Sequence, residues 1–138
     1  MHYMLDTDIS SYIIRKRDPR LLATFQTQAR SGAEICVSTI TYAELRLGAE
    51  RSSKPSRHHA AIGSFCDRLS RIAAWDKAAA DRFASLQAKL LDSGDPIGRN
   101  DAMIAAHAAS LDCVLVTNNQ RHFSRVSALT VENWHARD

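Results

Sequence analysis

Apolar residues recur along the chain in two rhythms. Short continuous runs, as expected of strands buried on both faces, occur at Tyr3-Met4-Leu5, within Glu34-Ile35-Cys36-Val37-Ser38, at Ile72-Ala73-Ala74-Trp75, at Cys113-Val114-Leu115-Val116 and at Leu129-Thr130-Val131. Between them the apolar positions fall three and four apart, the period of a helix with one buried face. Ile9, Tyr12 and Ile13 predict a first helix from Ile9 to Lys16, for which Asp8 is a well-placed N-cap. Asp18 and Pro19 open a second through Leu21, Leu22 and Phe25, with Gly32 as its stop. Thr39 is placed to cap a third helix from Ile40 to about Glu50. Arg51 to Arg57 reads as a loop leading into a helix through Ile62, Phe65 and Leu69. Asp76 caps a long alanine-rich helix to about Leu91, Ser93-Gly94-Asp95-Pro96 breaks the chain, and Asn100 or Asp101 opens a helix through Ala109. Thr117, Asn118 and Asn119 make a turn after the fourth strand run.

Strands alternating with helices predict an α/β fold: three layers, α/β/α, around a mostly parallel sheet of four to five short strands. At 138 residues, with no internal repeat or linker, residues 1–138 form one domain. No apolar run approaches membrane-spanning length and the apolar start is closed by an acid after one strand, so no signal peptide is read and a cytoplasmic location is expected. The three cysteines, Cys36, Cys66 and Cys113, lack zinc-like spacing and read as buried thiols in a reducing compartment. A net charge of +3 and a pI near 9.0 suit a polyanionic partner without demanding one.

Candidate chemistry begins at Asp6, a carboxylate at the carboxyl end of a buried strand, where open α/β sheets place their ligands. Several acids sent to one pocket would repel one another and lose hydration unless a cation held them together. Glu44 shares a helix face with Ile40 and Leu47 and has no basic residue three or four positions away, which argues against an ordinary exposed ion pair. Asp101 starts a helix, where a cap and a metal ligand are equally good readings. Asp8 is expected to be a cap or a supporting residue. Asn118 and Asn119 fit a turn, and their amides could also orient a water or a carboxylate. Carboxylates without sulfur or imidazole describe a hard-cation site, Mg²⁺ or Mn²⁺ rather than zinc. The six histidines are expected at the surface or in packing, His58 and His59 pointing apart and His107 on an alanine-rich helix.

These residues resemble the PIN-domain family, and within it the VapC-type toxins of toxin-antitoxin systems. The resemblance runs through Met4-Leu5-Asp6-Thr7-Asp8, Val37 to Leu45, Ile97 to Ala108, Leu115-Val116-Thr117-Asn118-Asn119 and Val131 to Trp134, in order. It implies Asp6, Glu44 and Asp101 as acidic metal ligands and a fourth site position at Asn119, or at Asn118 in another register. Such toxins usually carry asparagine where this chain has Asp8, and an acid where it has Asn119. The implied activity is metal-assisted hydrolysis of RNA phosphodiester bonds, leaving a 5′ phosphate and a 3′ hydroxyl, with structured RNA such as tRNA as substrate. Ser38, Thr117 and Arg99 are candidates to position the attacking water or the phosphate. Arg15, Lys16, Arg17, Arg20, Arg46, Arg121 and Arg125 could contact the RNA backbone. Implied partners are a small VapB-like antitoxin lying across the site, a second copy of the chain in a homodimer, and a larger toxin-antitoxin assembly. Tyr12, Leu21 and Phe25 would suit such contacts, and core packing explains them equally well.

Two other readings compete. Asp6-Thr7-Asp8 also resembles the nucleophile motif of haloacid-dehalogenase-type phosphatases, but Thr-Asn-Asn follows the later strand in place of an acidic pair and Glu44 would have no task. A catalytically inactive PIN-like module that binds RNA or antitoxin is the second, kept open by Asn119.

Overall fold

A computed structural model describes residues 1–94 and 96–134. Asp95 of the expected breaker and His135 lie outside the described residues. The elements are β1 (His2–Leu5), α1 (Thr7–Arg15), α2 (Pro19–Arg30), β2 (Glu34–Ser38), α3 (Thr39–Glu50), α4 (Pro55–Asp67), β3 (Arg71–Ala73), α5 (Lys77–Asp92), α6 (Arg99–Ser110), β4 (Val114–Val116), α7 (Gln120–Phe123) and β5 (Val131–Glu132). The five strands form one sheet in the order β3-β2-β1-β4-β5, and every pairing is parallel. The expected α/β sheet is therefore present, and it is wholly parallel.

The period of two along each strand divides the interior between the two sheet faces. Met4, Cys36 and Leu115 pack with α5 and α6 through Leu90, Ala102, Ala105 and Ala108. Their chain neighbours Leu5, Val37 and Val116 pack on the other face with Ile9, Ile13, Leu21, Phe25 and Phe65 of α1, α2 and α4. Leu21 and Phe25 are 0% and 1% exposed, so they belong to the core rather than to a contact surface, while Tyr12 is half-buried. Burying side chains of that size contributes roughly 1.5–3 kcal/mol each. Small alanines on α6 let that helix lie close to the sheet, and α5 packs against it through Phe83, Leu86 and Leu90.

Chain order in the sheet sets the site. From β1 the chain moves outward through β2 to β3, then returns past β1 to build β4 and β5 on the opposite side. The crevice between β1 and β4, at their carboxyl ends, is thus the switch point at which open α/β sheets bind ligands. Leu5 pairs with Val116, so the residues that follow, Asp6 and Thr117, leave the sheet side by side. The Asp6 N–H donates to the Val116 carbonyl at 3.0 Å, prolonging the ladder by one residue.

Three local expectations are corrected. Helix α1 starts at Thr7 and its N-cap is Asp6, not Asp8. Helix α3 is capped by Ser38, not Thr39, whose hydroxyl instead accepts from the Trp75 N–H at 3.1 Å. In both, the strand passes into the helix without a loop, so the last extended residue becomes the cap. Strand β3 ends at Ala73, and Trp75 turns away to donate its indole N–H to the Met103 carbonyl at 3.0 Å. Short α7 was not expected from so brief a polar stretch. The caps at Asp18 and Asp76 and the turn at Gly32 (φ 92°) agree with the expected pattern. No disulfide joins the cysteines: Cys36 and Cys113 are buried thiols and Cys66 is half-buried.

Candidate active site

Asp6 is only 4% exposed. Its extended backbone (φ −79°, ψ 177°) turns the side chain back over α1, where the carboxyl accepts the Ile9 N–H at 2.9 Å. The same residue is therefore helix cap and acid at the strand end. Burial raises its pKa to about 7 against the hydrogen bonds from Thr117 and Ile9, and the nearby charges of Asp8 and Asp101 raise it further. Thr117 is itself fully buried; its hydroxyl binds the Asp6 carboxyl and accepts the Asn119 N–H at 3.0 Å. Asp8 lies exposed in the first turn of α1, where the helix dipole favours a negative charge.

Glu44 reaches the site from α3, half-buried at its rim. The expectation that it shares a buried face with Leu47 fails, because Leu47 is 59% exposed; the buried residues of α3 are Thr41 and Ala49. What holds Glu44 is a pair of donors. Thr7 gives its hydroxyl to Oε1, and Asn100 gives its amide N–H to Oε2 at 2.7 Å. Thr7 Oγ1 also lies 3.1 Å from Thr41 Oγ1. These donors tie together the starts of α1 and α6 and the middle of α3.

Asp101 stands in the first turn of α6, whose N-cap is Gly98 without a side-chain cap bond. The cap reading for Asp101 is thus excluded and its carboxyl is available to the site. Burial raises its pKa, His122 opposes that shift, and Asp8 and Glu44 add to it. Among the described residues, none of Asp6, Asp8, Glu44 and Asp101 forms an ion pair with lysine or arginine. Among the described residues the four acids thus share one end of the sheet with His122 near Asp101 as the one opposing group and no lysine or arginine paired to them.

The remaining expected residues divide. Arg99 is exposed at the first position of α6, Asn119 is exposed at the start of α7, and Asn118 is half-buried beside it. Ser38 is fully buried; its Oγ accepts the Ile40 N–H at 3.0 Å and lies 2.9 Å from His107 Nδ1. Its hydroxyl is thereby committed inside the fold, away from any reacting phosphate. Arg46 is likewise engaged, with the Tyr42 hydroxyl at 3.0 Å and His59 Nδ1 at 2.8 Å, whereas Arg15, Lys16, Arg17 and Arg121 are exposed. Sequence reading missed Thr7, Asn100 and His122 as members of the site; a polar residue beside each acid of a suspected cluster was the available signal. A groove of about 380 Å³ runs from Thr7, Asp8 and Glu44 between α1, α3 and α4, past Ile14, Leu45 and Ile62.

The donor set fits a hard divalent cation. Two of its carboxyls have raised pKa values because burial and mutual repulsion disfavour their charges, and a cation relieves both effects. Among the described residues no three acid, histidine or cysteine side chains are gathered closely enough to hold an ion as they stand. The fit lies in the chemistry of the donors, with Glu44 still held by Thr7 and Asn100.

Fold and site together define an open α/β domain with an acidic centre at its switch point. The chain belongs to the PIN domain family, which residues 3–129 match. It is 46% identical to Ribonuclease VapC2 of Haemophilus influenzae over 134 residues, covering 97% of this chain and 98% of that protein. It is 37% identical to the tRNA(fMet)-specific endonuclease VapC of Shigella flexneri over the same shares of each chain. A chain of the VapBC2 complex of Rickettsia felis, solved bound to a fragment of its promoter DNA, superposes with a TM-score of 0.91 at 34% identity, covering 97% of this chain and 99% of that one. The resemblance to PIN domains and VapC-type toxins is thereby borne out.

Proposed function

We propose that this protein is a divalent-metal-dependent endoribonuclease toxin of the VapC type, acting on structured RNA such as tRNA and neutralised by a VapB-like antitoxin. The observation that carries the reading is that Asp6, Glu44 and Asp101 stand near one another at the β1/β4 switch point with, among the described residues, no lysine or arginine paired to them. The names of the Haemophilus and Shigella relatives support the activity and the RNA class. The toxin-antitoxin complexes among the structural relatives support the antitoxin, for which the groove beside the acids offers a seat. A homodimer within a larger toxin-antitoxin assembly completes the proposal; exposed Leu47 and Leu91 are apolar surface that such contacts could cover.

Asp6, Glu44 and Asp101 would hold the ion, with Mg²⁺ favoured by an all-carboxylate set and Mn²⁺ as a substitute. When bound, the ion supplies Lewis-acid stabilisation of charge on the phosphate and activation of water. The chain does the rest. The Thr117 hydroxyl fixes the Asp6 carboxyl, and Thr7 and Asn100 orient the two oxygens of Glu44. With a pKa of about 7, Asp6 is part-protonated at neutral pH, so cation binding and loss of its proton are linked. Arg99 and Arg121, exposed at the starts of α6 and α7, would contact phosphates on either side of the scissile bond. Among the described residues no helix is long and apolar enough to cross a membrane.

The test is RNA cleavage by purified protein in Mg²⁺, with Asp6→Asn and Asp101→Asn alongside. Cleavage by the wild type, with a loss of at least about a hundredfold in each variant, supports the proposal. RNA retained without product in Mg²⁺ or Mn²⁺ would instead favour an inactive binding module, the reading that Asn119 in place of an acid keeps in play. Phosphate released from a phosphomonoester would favour the phosphatase.

A further inference from the structure

His122 lies on α7, immediately beyond the turn that carries Thr117 and Asn119. Its backbone N–H donates to the Asn119 carbonyl at 2.9 Å, and the next residue, Phe123, is buried in the core and pins the helix. The ring acts electrostatically on Asp101, opposing the effect of burial there. Its Nε2 atom is buried and has no hydrogen-bond partner among the described residues. A buried polar atom left unpaired is costly, and such an orphan in a native protein points to a water or an ion. The protonated ring is a counter-charge to Asp101, and in its neutral form an imidazole beside a carboxylate offers a nitrogen lone pair as a ligand donor.

We propose that His122 Nε2 is a ligand of the ion held by Asp6, Glu44 and Asp101, filling the corner at which Asn119 brings no acid. The inference rests on the acidic-centre reading above and deepens it by adding a nitrogen donor to the carboxylates, which reverses the preference for Mg²⁺ that carboxylates alone would give. Carboxylates alone suit Mg²⁺, whereas imidazole adds a donor that transition metals accept far more readily. The centre therefore binds Mn²⁺ more tightly than Mg²⁺, and His122 is the source of that preference.

The experiment is Mn²⁺ titration of the metal-stripped full-length protein, read by electron paramagnetic resonance and by electron spin echo modulation from nitrogen. The wild type is expected to show modulation from one imidazole nitrogen, and ¹⁵N-histidine labelling to shift it. In His122→Gln that signal disappears and the Mn²⁺ Kd rises about tenfold or more, while the Mg²⁺ Kd changes less. The labelling reads the ligand in unsubstituted protein, so the outcome does not depend on the variant folding. Bound Mn²⁺ without nitrogen modulation, or modulation that persists in His122→Gln, overturns the role of His122 and leaves the acidic centre standing. Failure of the wild type to bind Mn²⁺ at millimolar concentration overturns both.

Discussion

Asp6 performs two tasks with one carboxyl group: it caps α1 and it anchors the acidic centre. Asparagine is as good a cap as aspartate, so Asp6→Asn separates the two. The sign of its effect on stability follows from the raised pKa. The unfolded chain loses this proton near pH 4 and the folded protein near 7, so between those values the folded state binds more protons. Stability of the metal-free protein therefore falls as pH rises from 4 to 7, by on the order of 4 kcal/mol from this group. Urea unfolding in chelator at pH 4.5 and pH 8 should show that fall in the wild type and a much smaller one in Asp6→Asn, which becomes the more stable protein at pH 8. Asp8 lines the groove beside Glu44 and acts on Asp6 and Asp101 through its charge. Asp8→Asn is thus expected to keep RNA cleavage within about tenfold of wild type; a loss equal to that of Asp6→Asn would place Asp8 among the ligands.

At the scale of elements, the site depends on how α3 and α6 are fastened to the strand ends. The buried Ser38–His107 contact joins the cap of α3 to the last turn of α6, and burial lowers the His107 pKa, keeping the ring neutral. Ser38→Ala removes a cap and leaves a buried imidazole nitrogen short of a partner. It should destabilise the protein by about 1–3 kcal/mol, visible as a lowered urea midpoint with an unchanged slope. Asn100 acts at the opposite end of α6. It is exposed and donates to Glu44 at 2.7 Å, so Asn100→Ala should leave the melting temperature nearly unchanged. Cleavage should drop roughly tenfold or more, as for other residues that orient a metal ligand; a wild-type rate would show that Glu44 needs no such support.

For the whole molecule, the acidic centre is a weakness of the free protein that a cation turns into stability. Any ligand bound only by the folded state stabilises it by RT ln(1 + [L]/Kd), about 2.7 kcal/mol at a hundred times Kd. Raising Mg²⁺ or Mn²⁺ should therefore raise the melting temperature of the wild type at pH 8 and leave Asp101→Asn nearly unmoved, measured by calorimetry in matched chelated and metal-loaded samples. An equal rise in both proteins would mean that the ion binds elsewhere.

What could be read before the structure was whatever a few consecutive residues settle by themselves. The strand Glu34–Ser38, the Asp18–Pro19 and Asp76 helix starts and the placing of Asp6 at a strand end depend on local period and capping chemistry, and the structure agrees with each. Local pattern points to Asp8 and Thr39 as caps where the structure uses Asp6 and Ser38, because a strand that enters a helix without a loop offers polar residues in close succession, and only backbone angles choose between them. Glu44 was expected in the site, but for a face of α3 that proves exposed at Leu47. Its real supports lie far off in sequence, 37 residues away in Thr7 and 56 in Asn100, as does the 69-residue Ser38–His107 link. The sequence by itself determined the class of fold and which acids could be gathered, since both follow from period and residue type. Only the tertiary structure decided which neighbours hold them and left His122 Nε2 buried without a partner among the described residues, because pairing and burial are set by parallel register and helix packing between distant parts of the chain.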